Sequence, residues 1–485
     1  MRLVTIFLLC LAVSALGQPT PATRCDCPKA FEYVVQTIKT NYAGWADKVT
    51  PKNQAQFNQL TNQLRAKAPG ASEALCFGLL ARWTQQLNDH HTGVYVPDRS
   101  GPAYAETDPA KIRHHFANWE KLPFDSVSIK HYFDTKAGKL KPLEGIWQDD
   151  EGTYTVAIVA NKTATRQYAG IILKADGVYW QEGQVKMDWS QVDSTAYGGL
   201  YYARDHSPAP YYAQLKNGRL AVSRQGDWIR LYPAQPSQPV VASPWKHDYS
   251  GRFELRSLDD STMLLTLPDF DISHKPLIDS LLATHRAQLR KTPYLIIDVR
   301  ANEGGWDTAY EPILDYLYTN PIIGVSSNLL VTAENLNKWK GHYQDPAIPA
   351  DNKQYLGRLL AQMSHIPLGH YLNRPDDTTT RSLVYSLPRR VAVLTGRGCA
   401  SSGEEFVLAA RQSKKVTLLG ENTAGILDYA NVHTVDVAGS RFKLYYATSR
   451  TKRQQLIDNV GIAPDVRIPS EVTNWVEYAR SYLRH

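Results

Sequence analysis

The sequence predicts an α+β multidomain protein: a helical N-terminal segment and an antiparallel β module, followed by an α/β domain on a largely parallel sheet. Three observations predict it. Near the N-terminus, apolar residues recur at helical spacing: Phe31, Val34, Val35, Ile38 and Tyr42, then Ala74, Leu79, Leu80, Trp83 and Leu87. From about residue 118, short runs of β-formers alternate with glycine and asparagine turns. From Phe253 onward, continuous apolar strands are followed by glycine turns and helices. That alternation implies parallel strands joined by right-handed crossovers, with sites at the strand ends. The expected divisions are 1–17, 18–117, 118–246 and 247–485.

The first division is read as a secretory signal. Arg2 precedes an apolar run from Leu3 to Leu11, and small residues lead to a cleavage site after Gly17. The run is too short to span a membrane, and no later stretch is long and apolar enough. The expected location is therefore outside the cytoplasm, periplasmic or extracellular, with no integral membrane segment. Cys25, Cys27, Cys76 and Cys399 remain after cleavage. One bridge from Cys25 or Cys27 to Cys76 is expected in an oxidising compartment. Cys-x-Cys with no nearby histidine is a poor zinc pattern, so no metal is expected.

The second predicted helix ends at Asn88-Asp89-His90-His91-Thr92-Gly93. A histidine there can complement the helix dipole or bond a free carbonyl. Adjacent histidines point apart, which disfavours a metal pair. A catalytic base is the third reading. A short strand is expected at Val94–Pro97.

In the β module the expected strands are Tyr154–Ala160, Gly170–Leu173, Val178–Trp180, Tyr211–Leu215 and Trp228–Leu231. A small barrel or a sandwich fits them equally. Trp147, Trp180 and Trp189 are read first as core and second as the lining of a ligand cavity.

In the α/β domain, Met263–Leu267 and Tyr294–Asp298 are strands, and Pro276–Leu289 and Thr308–Leu317 are helices. Between Asn328 and Arg389 the chain turns polar, with helices expected over Glu334–Lys340 and Asn352–Ser364 in a strandless insertion. Val391–Leu394 is a buried strand, followed by Gly396-Arg397-Gly398, then Cys399-Ala400-Ser401-Ser402-Gly403-Glu404-Glu405 opening a helix. A hydroxyl at such a turn sits beside free helix N–H groups that can hold a developing oxyanion. Ser401-x-x-Glu404 and Ser402-x-x-Glu405 equally fit a capping box, which needs no function.

The net charge of +7 is dispersed, and its densest patches are short. No nucleic-acid site is expected. Phosphate-loop motifs are absent, and Cys399 stands where an esterase elbow would need glycine.

The run Leu295-Ile296-Ile297-Asp298-Val299-Arg300-Ala301-Asn302-Glu303-Gly304-Gly305 resembles the LIIDLRGNxGG signature of the tail-specific, C-terminal-processing serine peptidases and their tricorn-like relatives. Three more blocks fit: Cys399–Glu404 with Leu419–Gly425, Asn459–Val466, and upstream Leu87-Asn88-Asp89-His90-His91-Thr92, similar to the LxDGHT box of the histidine-base branch. The resemblance implies a ClpP/crotonase-like peptidase domain. It places Ser401 as nucleophile and His91 as general base. It puts the N–H groups of Gly304 or Gly305 and of Ser402 at the oxyanion hole. Glu404 takes a supporting acidic position, and Asp458 falls where tricorn-like members carry an acidic residue of the constellation. The lysine base of the tail-specific branch has no counterpart in Ala424-Gly425-Ile426-Leu427, and no PDZ module is recognisable.

The expected function is an exported serine peptidase cleaving peptide or unfolded protein through an acyl-enzyme, with no cofactor. The alternatives are an inactive relative that binds peptide or glycan, and a hydrolase of non-peptide esters or amides. The sequence sets no oligomeric state.

Overall fold

The computed structural model describes residues 25–97, 104–223, 225–234 and 248–485. The expected signal segment lies outside them. The protein is α+β; its described residues form one parallel-rich sheet, one closed antiparallel barrel, a second antiparallel sheet and a two-stranded antiparallel ribbon of Ile322–Gly324 with Asp377–Thr379. Among the described residues no helix is long and apolar enough to cross a membrane.

Helix Cys27–Asn41 is capped by Asp26, and helix Glu73–Gln85 by Ser72. Both bury the apolar faces read from their spacing. A disulfide joins Cys27 to Cys76 across their contact, leaving Cys25 as a free thiol. It closes a sequence separation of 49 residues. On the loop-closure argument the bridge contributes about 4 kcal/mol. Denaturant titration with and without reductant should show a loss approaching that size, and equal midpoints would remove the role.

The β module is an eight-stranded meander from Gly145 to Tyr232. Each strand pairs antiparallel with the next, and Gly145–Asp149 closes on Gly226–Tyr232. Its inside is packed with aromatic rings, and Trp147, Trp180 and Trp189 are fully buried there. Val178–Trp180 is not a strand, contrary to its composition. The Asp176 carboxylate accepts the amides of Val178, Tyr179 and Trp180, and this local turn outcompetes ladder pairing. The barrel docks on helix Glu73–Gln85 through glycine against glycine. A Cβ on Gly78 would fall 2.5 Å from the Gly198 Cα.

The central sheet runs Glu254–Asp259, Thr262–Thr266, Tyr294–Asp298, Arg390–Thr395, Val416–Gly420 and Val466–Arg467 in spatial order. All neighbours are parallel except the first pair. Its inner strands are near-continuous apolar runs because helices cover both faces. Beneath the sheet's end, fully buried Arg300 pairs with Asp298 at 2.7 Å and with Asp248.

The polar stretch 328–389 is not strandless. Ser327–Leu330, Tyr371–Leu372 and Asp377–Thr379 are short strands around the helices Ala333–Gln344 and Ala350–Met363. They are too short to stand out by periodicity. The expected helix Pro276–Leu289 is likewise two pieces, Lys275–Thr284 and Arg286–Leu289, broken at His285.

The second sheet brings the N-terminal segment onto the α/β domain. Strand Gly93–Tyr95, directly after the histidine turn, pairs antiparallel with Lys443–Thr451. That strand also carries Tyr429–Asp436.

Candidate active site

Strand Arg390–Thr395 leads into the turn that carries Ser401, and helix Ser402–Ala410 follows. Ser401 occupies the N-cap position, but its side chain makes no capping bond. Its backbone stands at φ 54, ψ −124. A non-glycine residue in such a region costs of order 1–3 kcal/mol. The Ser402 hydroxyl donates to the Gly305 carbonyl at 2.9 Å instead of capping the helix. The capping-box reading therefore does not hold for either serine. Only Glu404 keeps part of it, since the Ser401 amide is among the donors that favour its charge.

The second glycine turn lies directly against the first. Buried Asn302 joins them: its carbonyl accepts the Ala400 amide at 2.8 Å and its Oδ1 accepts the Gly304 amide at 3.0 Å. Gly304 has φ +93, and a Cβ on it would sit 2.8 Å from the Ser401 Cβ. Gly305 has φ +144, and a Cβ there would sit 2.2 Å from the Phe270 carbonyl. Both positions demand glycine. With the Gly304 N–H engaged by Asn302, the amides of Gly305 and Ser402 have no hydrogen-bond acceptor among the described residues. Gly305 is exposed.

Glu404 is fully buried. Its carboxylate accepts the Thr423 hydroxyl at 2.5 Å and the amides of Gly425 and Ile426 at 2.8 and 2.7 Å. Burial pushes its pKa up, and these donors oppose the shift. It thus organises the loop leading from strand Val416–Gly420 to strand Tyr429–Asp436. Cys399 is buried and its thiol is pushed well above the ordinary range, which removes it as a nucleophile.

His91 is not on a helix end. Asn88 takes φ 47, and Asp89 forms a turn in which its Oδ1 accepts the His91 amide at 2.8 Å and its Oδ2 the Thr92 hydroxyl at 3.2 Å. The His91 ring is held by its Nδ1, 2.5 Å from the Tyr429 carbonyl. A carbonyl only accepts, so Nδ1 carries a proton, and in the neutral tautomer Nε2 is the nitrogen with the lone pair. No hydrogen bond joins the His91 ring to the Ser401 hydroxyl or to Asp458.

Asp458 lies beside this turn. It accepts the Asp428 amide at 3.0 Å and pairs with Lys48 at 3.5 Å. Lys48 also donates to the Asn88 carbonyl at 3.1 Å and covers the Tyr429 ring at 4.6 Å. One lysine, far away in sequence, thereby clamps the histidine turn, the Tyr429 segment and the Asp458 loop. The residues unmarked in the sequence reading are Lys48, Asn302, Thr423 and Tyr429. Tyr429 acts through its carbonyl, for which no side-chain signal exists.

Burial, then the nearby Asp89 charge, pushes the Asp458 pKa up to about 6, against the pull of Lys48. Between about pH 4 and 6 the folded state therefore binds the extra proton, so stability falls as pH rises through that window. Asp458→Asn removes the penalty while keeping an acceptor for the Asp428 amide. The variant should match the parent near pH 4 and exceed it at pH 7 by up to roughly 3 kcal/mol. Urea titrations at the two pH values test this, and a variant weaker at pH 7 would reverse the assignment.

Residues 261–468 match the family model of peptidase family S41. No curated protein matches the chain. Among solved structures, the chain is similar to mature CPAF, at 13% identity over 94% of this chain and 96% of that one, with TM-score 0.49. It is also similar to the photosystem II D1 C-terminal processing protease, at 13% identity over 94% and 96%, TM-score 0.37. A lipoprotein from Streptococcus agalactiae aligns at 11% identity over 97% and 99%, TM-score 0.39. Over residues 261–468, which hold the parallel strands of the central sheet and the Ser401 turn, the chain is thus similar to peptidase family S41.

Proposed function

We propose that this protein is an exported serine peptidase that hydrolyses peptide bonds through an acyl-enzyme on Ser401. The carrying observation is the strained Ser401, uncommitted to capping, beside the two open amides of Ser402 and Gly305. His91 Nε2 takes the hydroxyl proton as Ser401 Oγ attacks the scissile carbonyl. The amides of Gly305 and Ser402 hold the oxyanion. His91 then gives the proton to the leaving amine, and water enters by the same base to release the acid and restore Ser401. The structure's Nδ1–carbonyl bond supports this tautomer. Apo sites often hold such partners apart until substrate closes them. Asp458 and Asp89 supply negative charge near the imidazolium, and Glu404 shapes the loop beneath the site. Export is supported by the Cys27–Cys76 bridge and the N-terminal apolar run.

The test is a fluorophosphonate probe on the folded protein, with peptide mass spectrometry to locate the adduct. An adduct on Ser401 is expected. Absence of labelling, or an adduct elsewhere, would refute the reading.

A further inference from the structure

A buried lysine needs something to answer its charge. Fully buried Lys186, in the barrel, donates to the Tyr202 carbonyl at 2.6 Å and lies over three aromatic rings. Lys48 has Asp458 and a carbonyl. Lys338 has neither. On helix Ala333–Gln344 it is 7% exposed, and its ammonium lies 3.8 Å from the ring of Trp339. Among the described residues no carboxylate or carbonyl lies within hydrogen-bond reach of it. Burial alone lowers its pKa to about 7. The indole N–H of Trp339 is also buried without an acceptor. Two neighbouring donors without acceptors mark a place that favours an anion.

The helix contacts an element from each part of the candidate active site. His342, one turn beyond Lys338, has its ring 5.9 Å from that of Trp306, the residue after Gly305. Two turns earlier, Glu334 of the same helix bonds His433 at 3.0 Å. His433 belongs to the strand whose first carbonyl, that of Tyr429, holds His91.

We infer that Lys338, with the Trp339 indole N–H, forms a substrate subsite for the carboxylate of an acidic side chain in the peptide. This rests on the peptidase reading and specifies its substrate class. The bound carboxylate supplies the missing counter-ion, so the peptide's aspartate or glutamate completes a group that the fold leaves unpaired.

The experiment uses fluorescein-labelled octapeptides of alanine and serine carrying one glutamate, moved through every position. Each has a glutamine counterpart, and each is made as free acid and as C-terminal amide. Binding is followed by anisotropy on the full chain bearing Ser401→Ala, so that cleavage is not the readout. At one or two positions glutamate should bind about tenfold more tightly than glutamine, the yield of one charge-assisted bond. Lys338→Gln and Lys338→Met should both shrink that ratio to under about twofold, and Lys338→Arg should preserve most of it. Two neutral variants guard against misfolding of either, with circular dichroism as the check. No position favouring glutamate, a preference surviving both neutral variants, or one that follows the free C-terminus instead of the glutamate would each overturn the inference. Failed fluorophosphonate labelling with an intact glutamate preference would instead remove the peptidase reading and leave the subsite standing.

Discussion

Ser401→Gly is expected to lower peptide hydrolysis by about 10⁴-fold or more while raising the thermal midpoint. The loss follows from removing the Ser401 hydroxyl, the nucleophile of the proposed mechanism. The gain follows from the backbone. At φ 54, ψ −124 the serine holds a conformation that costs a side-chain-bearing residue of order 1–3 kcal/mol. Glycine relieves that cost and gives back about 0.5–1 kcal/mol through its greater unfolded-state freedom. Ser401→Ala is the control, since it removes the hydroxyl and keeps the strain. No capping bond is lost in either variant, because the Ser401 side chain makes none. The expected order of thermal midpoints is therefore glycine above alanine, with alanine close to the parent. Differential scanning calorimetry beside a peptide-cleavage assay measures both effects. A glycine variant less stable than the alanine one would mean that the turn is not strained, and an active alanine variant would remove Ser401 from the chemistry.

The same turn shows where sequence reasoning stops. A serine followed three residues later by glutamate is a capping box in one context and a nucleophile turn in another. Only the backbone angle and the direction of the hydroxyl separate them, and neither is written in residue type. Likewise, both Gly304 and Gly305 fit an oxyanion donor by position. The choice falls on Gly305 because the Asn302 side chain takes the other amide, which depends on a rotamer in a buried pocket. The strands around these turns were legible for the opposite reason. Val391–Leu394 and Tyr294–Asp298 are buried on both faces, so continuous apolar runs mark them.

The barrel was legible as antiparallel, but its closure was not. Closure depends on Gly145–Asp149 meeting Gly226–Tyr232, a pairing between the two ends of the module. No local pattern encodes it. Lys48 was invisible for a similar reason. It is one lysine among many surface-compatible ones until folding brings Asn88, Tyr429 and Asp458 around it.

His91→Asn should lower kcat/KM by about 10²–10⁴-fold with little change in stability. Asparagine places an amide N–H near the ring's Nδ1 position, so the contact with the Tyr429 carbonyl can persist. The backbone bond from residue 91 to Asp89 is untouched. What asparagine cannot do is take the serine proton and return it to the leaving amine. The loss should therefore lie in kcat more than in KM, and fluorophosphonate labelling of Ser401 should slow in parallel. The decisive comparison is the double variant with Ser401→Gly. If the two residues act as one unit, removing the base from an enzyme already lacking its nucleophile costs almost nothing further. Two independent losses that multiply would place His91 in binding or folding instead, and the base would have to be sought among the other groups around the Ser401 turn.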